Sequence, residues 1–192
     1  MLSFWEKDEF LNYDHIIVGA GIVGLSTAIS IKENYPKARV LVLERGTFPT
    51  GASTKNAGFA CFGSLTEILS DLKLMPEQEV FDLVKLRWEG LQLLRERVGD
   101  EALDYHNLGG YELMRSADMP ALEEMNRVNA LLMPLFGQRV YQDRSEEIEK
   151  LGFDASVIEG LVYNPFEAQL HSGKMMKALS RLASSQGIEV FT

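Results

Sequence analysis

Short apolar runs alternate along the chain with amphipathic stretches, and the period of each run predicts an element. His15-Ile-Ile-Val18 is an uninterrupted β-branched run, the pattern of a strand buried on both faces. Gly19-Ala-Gly21-Ile-Val-Gly24 follows at once. Leu25, Ala28, Ile29 and Ile31 then continue with helical character until Asn34-Tyr-Pro36 stops them. Arg39-Val-Leu-Val-Leu-Glu44 is a second apolar strand that ends on an acid. This order predicts a βαβ unit with parallel strands and a right-handed crossover.

Residues 46–63 mix glycines with Ala52, Ser53, Thr54 and Asn56 and read as one extended loop. A loop that long within a compact domain is functional or disordered. Ser64-Leu-Thr-Glu67 is a capping box for a helix over 65–73. Pro76 opens the longest helix, to about residue 98, with Val80, Val84, Leu91, Leu94 and Val98 on one face and Trp88 beside it in the core. Residues 108–114 read as a loop running into a strand. Pro120 opens a helix to about 133 that Pro134 and Gly137 close. A short strand over 139–141, a helical turn within 145–151 and a strand over 158–163 come next, and Asn164-Pro165 turns the chain. Ser172 caps a helix over 173–185, Gln186-Gly187 stops it, and 188–191 form a last strand. Three detectable parallel strands are few for a sheet that needs cover on both faces.

Composition narrows the function classes. With 192 residues, 46% hydrophobic and 24% charged, the chain has a globular composition and can bury a sizeable core. A net charge of −9 excludes a broad nucleic-acid surface, which needs clustered Lys and Arg. One cysteine makes neither an internal disulfide nor a cysteine-based metal site. Charges interrupt the first ten residues where a secretory signal needs an apolar core, and no apolar run is long enough to span a bilayer. These features imply a soluble, cytoplasmic protein.

The chemistry concentrates at residues 19–58. Gly19-x-Gly21-x-x-Gly24 follows a strand and opens a helix, and Glu44 stands twenty residues beyond Gly24. That is the context a dinucleotide site requires. Gly19 permits the tight turn, Gly21 leaves room for a pyrophosphate, and Gly24 lets the helix lie close on the strand. The helix N-terminus, with Ile22 and Val23 in its first turn, meets the phosphate charge with unpaired N–H groups. Glu44 is suited to accept both ribose hydroxyls and disfavours a 2′-phosphate, which leaves NAD or FAD. No metal site is expected, since His106 lies in a loop without a second ligand. Cys61 reads as a small buried thiol, His15 as a strand-edge residue, Tyr111 as strand packing, and 146–150 as a solvated charge run.

The peptide Pro49-Thr-Gly-Ala-Ser-Thr-Lys-Asn-Ala-Gly58, with Val18-Gly-Ala-Gly-Ile-Val-Gly-Leu25 and Leu43-Glu-Arg-Gly46, resembles the D-amino-acid oxidase superfamily of FAD-dependent oxidoreductases. The resemblance implies that Ser53, Thr54, Lys55, Asn56, Ala57 and Gly58 run past the pyrophosphate and ribityl chain of FAD, with Arg45 near the adenine. Leu108-Gly-Gly-Tyr-Glu-Leu113 resembles the strand that enters the substrate domain, and 159–171 the return to the FAD domain. Gln169 and His171 depart from the family pattern there, and His171 reads as a helix-cap residue with a local hydrogen bond.

The implied architecture is α/β. It has a Rossmann-like FAD-binding βαβ domain over 12–75, a helical connection over 76–107, part of an α+β substrate domain over 108–163, and a return segment over 164–192. The fold is expected to be incomplete at the C-terminus. The activity implied is oxidation of the C–N bond of an amino acid or amine, with hydride passing from the substrate carbon to flavin N5 and the imine product hydrolysed by water. A chain covering this part alone is expected to be inactive. A non-catalytic dinucleotide-binding module and an NAD-dependent dehydrogenase are the alternatives.

Overall fold

The computed structural model describes all 192 residues. In chain order the elements are α1 (Phe4–Phe10), β1 (His15–Val18), α2 (Ile22–Asn34), β2 (Val40–Leu43), β3 (Phe59–Ala60), α3 (Leu65–Asp71), α4 (Glu77–Val98), α5 (Asp100–Leu103), β4 (Gly110–Met114), α6 (Pro120–Phe136), β5 (Gln142–Asp143), β6 (Gly160–Asn164), β7 (Ala168–Gln169), α7 (Ser172–Ser185) and β8 (Glu189–Phe191). They fall into two compact units. One comprises residues 1–58, 96–104 and 170–192; the other comprises 59–95 and 105–169.

The first unit is a parallel sheet in the order β1-β2-β8. Helices α2 and α7 pack together on the face that carries Ile17, Val42 and Val190. Leu25, Ala28 and Ile29 of α2 are fully buried there, as their helical spacing predicts. Arg97 ties the end of α4 to α2 through Ser30 Oγ (2.7 Å) and the Glu33 carboxylate. On the opposite face lie two rows, Ile16–Leu41–Glu189 and Val18–Leu43–Phe191. The rings of Phe10 and Tyr13 rest against Phe191, and Arg39 donates to the carbonyls of Asp8 and Glu9 at the end of α1. Yet Ile16 and Val18 stay exposed. The expectation that β1 is buried on both faces therefore fails, because β1 is an edge strand with no layer over that face.

The second unit holds an antiparallel sheet, β4-β6-β5, and a two-residue pair, β3-β7. Its core packs Phe62, Leu65, Ile68, Val80, Val84, Leu132 and Val162, with Trp88 partly buried against Phe62, Phe136 and Phe166. Buried Asn129 stitches α6 to the following chain: its Oδ1 accepts from Val140 N and Tyr141 N (both 2.9 Å) and its Nδ2 donates to Tyr141 O (2.8 Å). Those bonds occupy 140–141, so the strand expected at 139–141 lies instead at β5. Helix α6 runs through Pro134, whose missing N–H costs one bond in the final turn, and left-handed Gly137 closes it by donating to Met133 O (2.9 Å). Glu112 of β4 caps α3, accepting from Leu65 N (2.9 Å) and Thr66 N (3.3 Å).

Candidate functional site

The site grows out of the turn between β1 and α2. Gly19 takes φ +98°, a conformation open to glycine, and its N–H donates to Leu43 O (2.7 Å), which ties the turn to β2. Gly24 seats α2 on this turn. A Cβ there would stand 1.9 Å from Gly19 O, so only glycine permits the approach. Gly21 is the N-cap and offers no side-chain acceptor. The first intrahelical bond runs from Leu25 N to Gly21 O (3.0 Å), which leaves the N–H groups of Val23 and Gly24 without an acceptor inside the helix. Ile22 N donates to Ser53 Oγ (3.0 Å).

Glu44 follows β2 and points back at this turn. Its Oε2 accepts from Ala20 N (2.9 Å) and its Oε1 from Gly46 N (3.2 Å). The Ala20 N–H above all holds the carboxyl below the usual carboxylate range. Each oxygen keeps a second lone-pair direction for a ligand hydroxyl. A pocket of about 310 Å³ opens here, lined by Gly19, Gly21, Glu44, Arg45, Gly51 and Ser53. Glu44 also borders a second cavity of about 750 Å³, walled by Thr47, Phe48 and Thr54 and by the Gly173, Lys177 and Ser180 stripe of α7.

The loop beyond folds on itself. Thr54 Oγ1 donates to Pro49 O (3.1 Å), Asn56 Nδ2 donates to Ser53 O (2.9 Å), and Gly58 N donates to Asn56 Oδ1 (2.9 Å). Gly58, at φ +81°, abuts Leu170 O so closely that a Cβ would lie 2.2 Å away. The structure thus gathers Gly19, Gly21, Glu44, Arg45 and Ser53 around one pocket and places Thr54 in the second. Ile22, Val23, Gly24, Lys55, Asn56, Ala57 and Gly58 lie outside both. The α7 stripe escaped sequence reasoning, although Gly173, Lys177 and Ser180 recur at helical spacing.

Among the remaining residues, His171 is the N-cap of α7, which begins at Ser172 instead of being capped by it; His171 Nδ1 accepts from Lys174 N (3.3 Å). Cys61 is exposed, against the expectation of a buried thiol, because burial alternates here: Ala60 and Phe62 turn inward while Phe59 and Cys61 turn outward. Protein bulk around the sulfur, then the Glu167 carboxylate, push its thiol upward. Tyr111 lies on β4 with its ring 4.9 Å from that of Tyr163. His15 opens β1, exposed. No cluster of three His, Cys, Asp or Glu side chains is arranged to hold a metal.

A glycine turn leading into a helix, and an acid at the end of the second strand, define an α/β class built on a Rossmann-like βαβ unit. The family model for FAD dependent oxidoreductases matches residues 14–192, and the chain belongs to that family. It is 25% identical over 185 residues to a probable oxidoreductase, OrdL, of Haemophilus influenzae, covering 93% of this chain and 41% of the relative. Glycine oxidase from Geobacillus kaustophilus superposes with a TM-score of 0.62 at 22% identity, over 93% of this chain and 46% of that one. L-proline dehydrogenase from P. horikoshii gives 0.64 at 15% identity, over 94% and 44%. These likenesses show the fold, and the chain spans less than half the length of the relatives it matches. No helix is long and apolar enough to cross a membrane.

Proposed function

We propose that the chain binds the ADP half of FAD along the β1–α2 turn and forms part of an oxidoreductase acting on the C–N bond of an amino acid or amine. One observation carries this reading: Gly21, the N-cap of α2, and the Glu44 carboxylate line the same pocket. The pocket suits a diphosphate, since the helix dipole of α2, whose N-cap Gly21 lines it, favours an anion there. Gly21 leaves the space a side chain would fill. Glu44 is suited to take the ribose hydroxyls while Ala20 N and Gly46 N keep its carboxylate charged and oriented. That charge disfavours a 2′-phosphate. The 750 Å³ cavity on the far side of Glu44 has the size and mixed lining for the adenine end. When bound, FAD supplies the two-electron acceptor for the oxidation. The amino-acid and amine class is supported by structural relatives such as glycine oxidase and L-proline dehydrogenase.

The test is a fluorescence titration of FAD with the purified chain, repeated with excess NADH as competitor and with Gly21→Val. Saturable quenching that NADH does not reverse, weakened about tenfold or more by the valine, is the expected result. Absence of saturable binding, displacement by NADH, or equal binding by the variant overturns the assignment.

A further inference from the structure

Helix α4 carries two apolar seams. One, through Val80, Val84 and Trp88, packs into the core of its unit. The other runs through Leu83, Leu86, Gly90 and Leu93, spaced three, four and three residues apart, which is the alternation of a coiled-coil seam. This second seam faces outward: Leu86 is 67% and Leu93 42% exposed, and Leu83 is partly exposed. A solvent-facing helix surface normally carries charged and polar side chains. Here its centre is apolar.

Gly90 adds a second observation. Glycine within a helix lowers stability relative to alanine, and nothing in the chain comes within 4 Å of where its Cβ would stand. No contact inside the chain requires it, whereas a second helix crossing there at close range does. The edges of the seam supply the third. Asp82, Glu89 and Glu96 line one edge and Arg87 stands on the other. Asp82 accepts from Gln78 Nε2 (3.0 Å) and Arg87 Nη1 donates to Phe62 O (3.2 Å), which leaves both groups capacity for a further partner.

We propose that this outer seam is a homodimer interface, in which two copies of the chain pair their α4 helices side by side and parallel. Each seam residue then meets its own counterpart across a two-fold axis, Leu86 against Leu86 and Gly90 against Gly90. The acidic edge of one helix faces the basic edge of the other, so Asp82 of each copy reaches Arg87 of its mate, five positions on. Antiparallel pairing would instead set the acidic edges together, with Glu89 beside Glu89. Helix α4 holds five acids and four bases, so most of the chain's −9 charge lies elsewhere and does not oppose the contact. The seam from Leu83 to Leu93 is about 15 Å long. Its interface falls below about 1,200 Å², the size of transient contacts, and the dimer is therefore weak and concentration-dependent.

None of these residues lines the candidate cofactor pocket or its neighbouring cavity, so the test needs no cofactor. Sedimentation equilibrium of the purified chain is run from micromolar to millimolar concentration. The average mass should rise from 21.6 kDa toward twice that value. Leu86→Glu should weaken association about tenfold or more, while Leu74→Glu, at a leucine 81% exposed away from the seam, leaves it unchanged. Circular dichroism checks that each variant keeps its fold, which the exposure of both positions favours. Orientation is read from Leu86→Cys, which also keeps the seam uncharged, in a Cys61→Ser background. Oxidised glutathione should link its copies through position 86. A constant mass of 21.6 kDa, association that Leu86→Glu leaves intact or that Leu74→Glu weakens equally, or a thiol at position 86 that stays free while dimers form overturns the proposal.

Discussion

Replacing Gly24 by alanine tests whether α2 is seated on the β1 turn as described. The added Cβ would lie 1.9 Å from Gly19 O and 3.1 Å from Gly19 C. Both atoms are backbone and cannot rotate aside. Restoring ordinary contact moves the first turn of α2 by about 1.5 Å, loosening Leu25, Ala28 and Ile29 beneath it. Overpacking of this kind costs about 3 kcal/mol. Gly90 is the control, because it lies within α4 with nothing within 4 Å of an added Cβ. There alanine gains about 0.5–1 kcal/mol through helix propensity. Urea unfolding followed by far-ultraviolet circular dichroism, with hydrogen exchange read on peptides from β2 and α2, compares the two. Gly24→Ala should lower the midpoint by about 1 M and speed exchange in those peptides, while Gly90→Ala raises the midpoint slightly. A Gly24→Ala midpoint at or above that of the parent would refute the seating argument.

Glu44→Gln keeps the shape but loses the charge that the Ala20 N–H stabilises. It should weaken FAD binding about tenfold at neutral pH. Because the folded carboxyl titrates below its ordinary value of 4.5, its contribution is present above that value and lost as pH falls through the folded one. The glutamine variant should therefore show a shallower loss of stability in acid, read by thermal melts across pH. Glu167 has the opposite sign. Burial, then the nearby Glu112 and Glu67 carboxylates, outweigh the Asn164 hydrogen bond and push its carboxyl up. Glu167→Gln should raise the melting temperature at neutral pH, with the gain gone below about pH 4.5; a lower melting temperature at neutral pH would contradict this. Asn129→Ala strands two buried N–H groups and a carbonyl and should cost about 3 kcal/mol, measured by urea unfolding; a cost under about 1 kcal/mol would show that water replaces the amide.

The βαβ unit was legible because its signals are local: a β-branched run, glycines at fixed offsets, and an acid twenty residues on. Burial of β1 was not. The apolar run His15–Val18 shows that a strand forms there, but what covers its faces is set by residues far away in sequence, which the run itself does not encode. Pairs such as β3 with β7 join residues over a hundred positions apart with two residues each, too short for any period. Helix α1 was missed although Ser3 and Glu6 form a capping box, since seven residues give too little periodicity to notice. Asn129 looks out of place on an apolar helix until the chain eleven residues later returns to meet it. At the candidate site the motif residues were readable one by one. The bonds of Asn56 to its own loop were not, because side-chain-to-backbone bonds within an irregular loop leave no repeat in the sequence.

The bond from Ile22 N to the Ser53 hydroxyl means that the front of α2 is already occupied by a neutral oxygen belonging to the loop. An arriving phosphate oxygen at that atom exchanges one acceptor for another instead of meeting a solvated donor. The gain there is only the difference between a charge-assisted bond and a neutral one. Affinity would then have to come chiefly from neighbouring contacts, while the loop stands ready in its ligand-free state with part of its ordering entropy already spent.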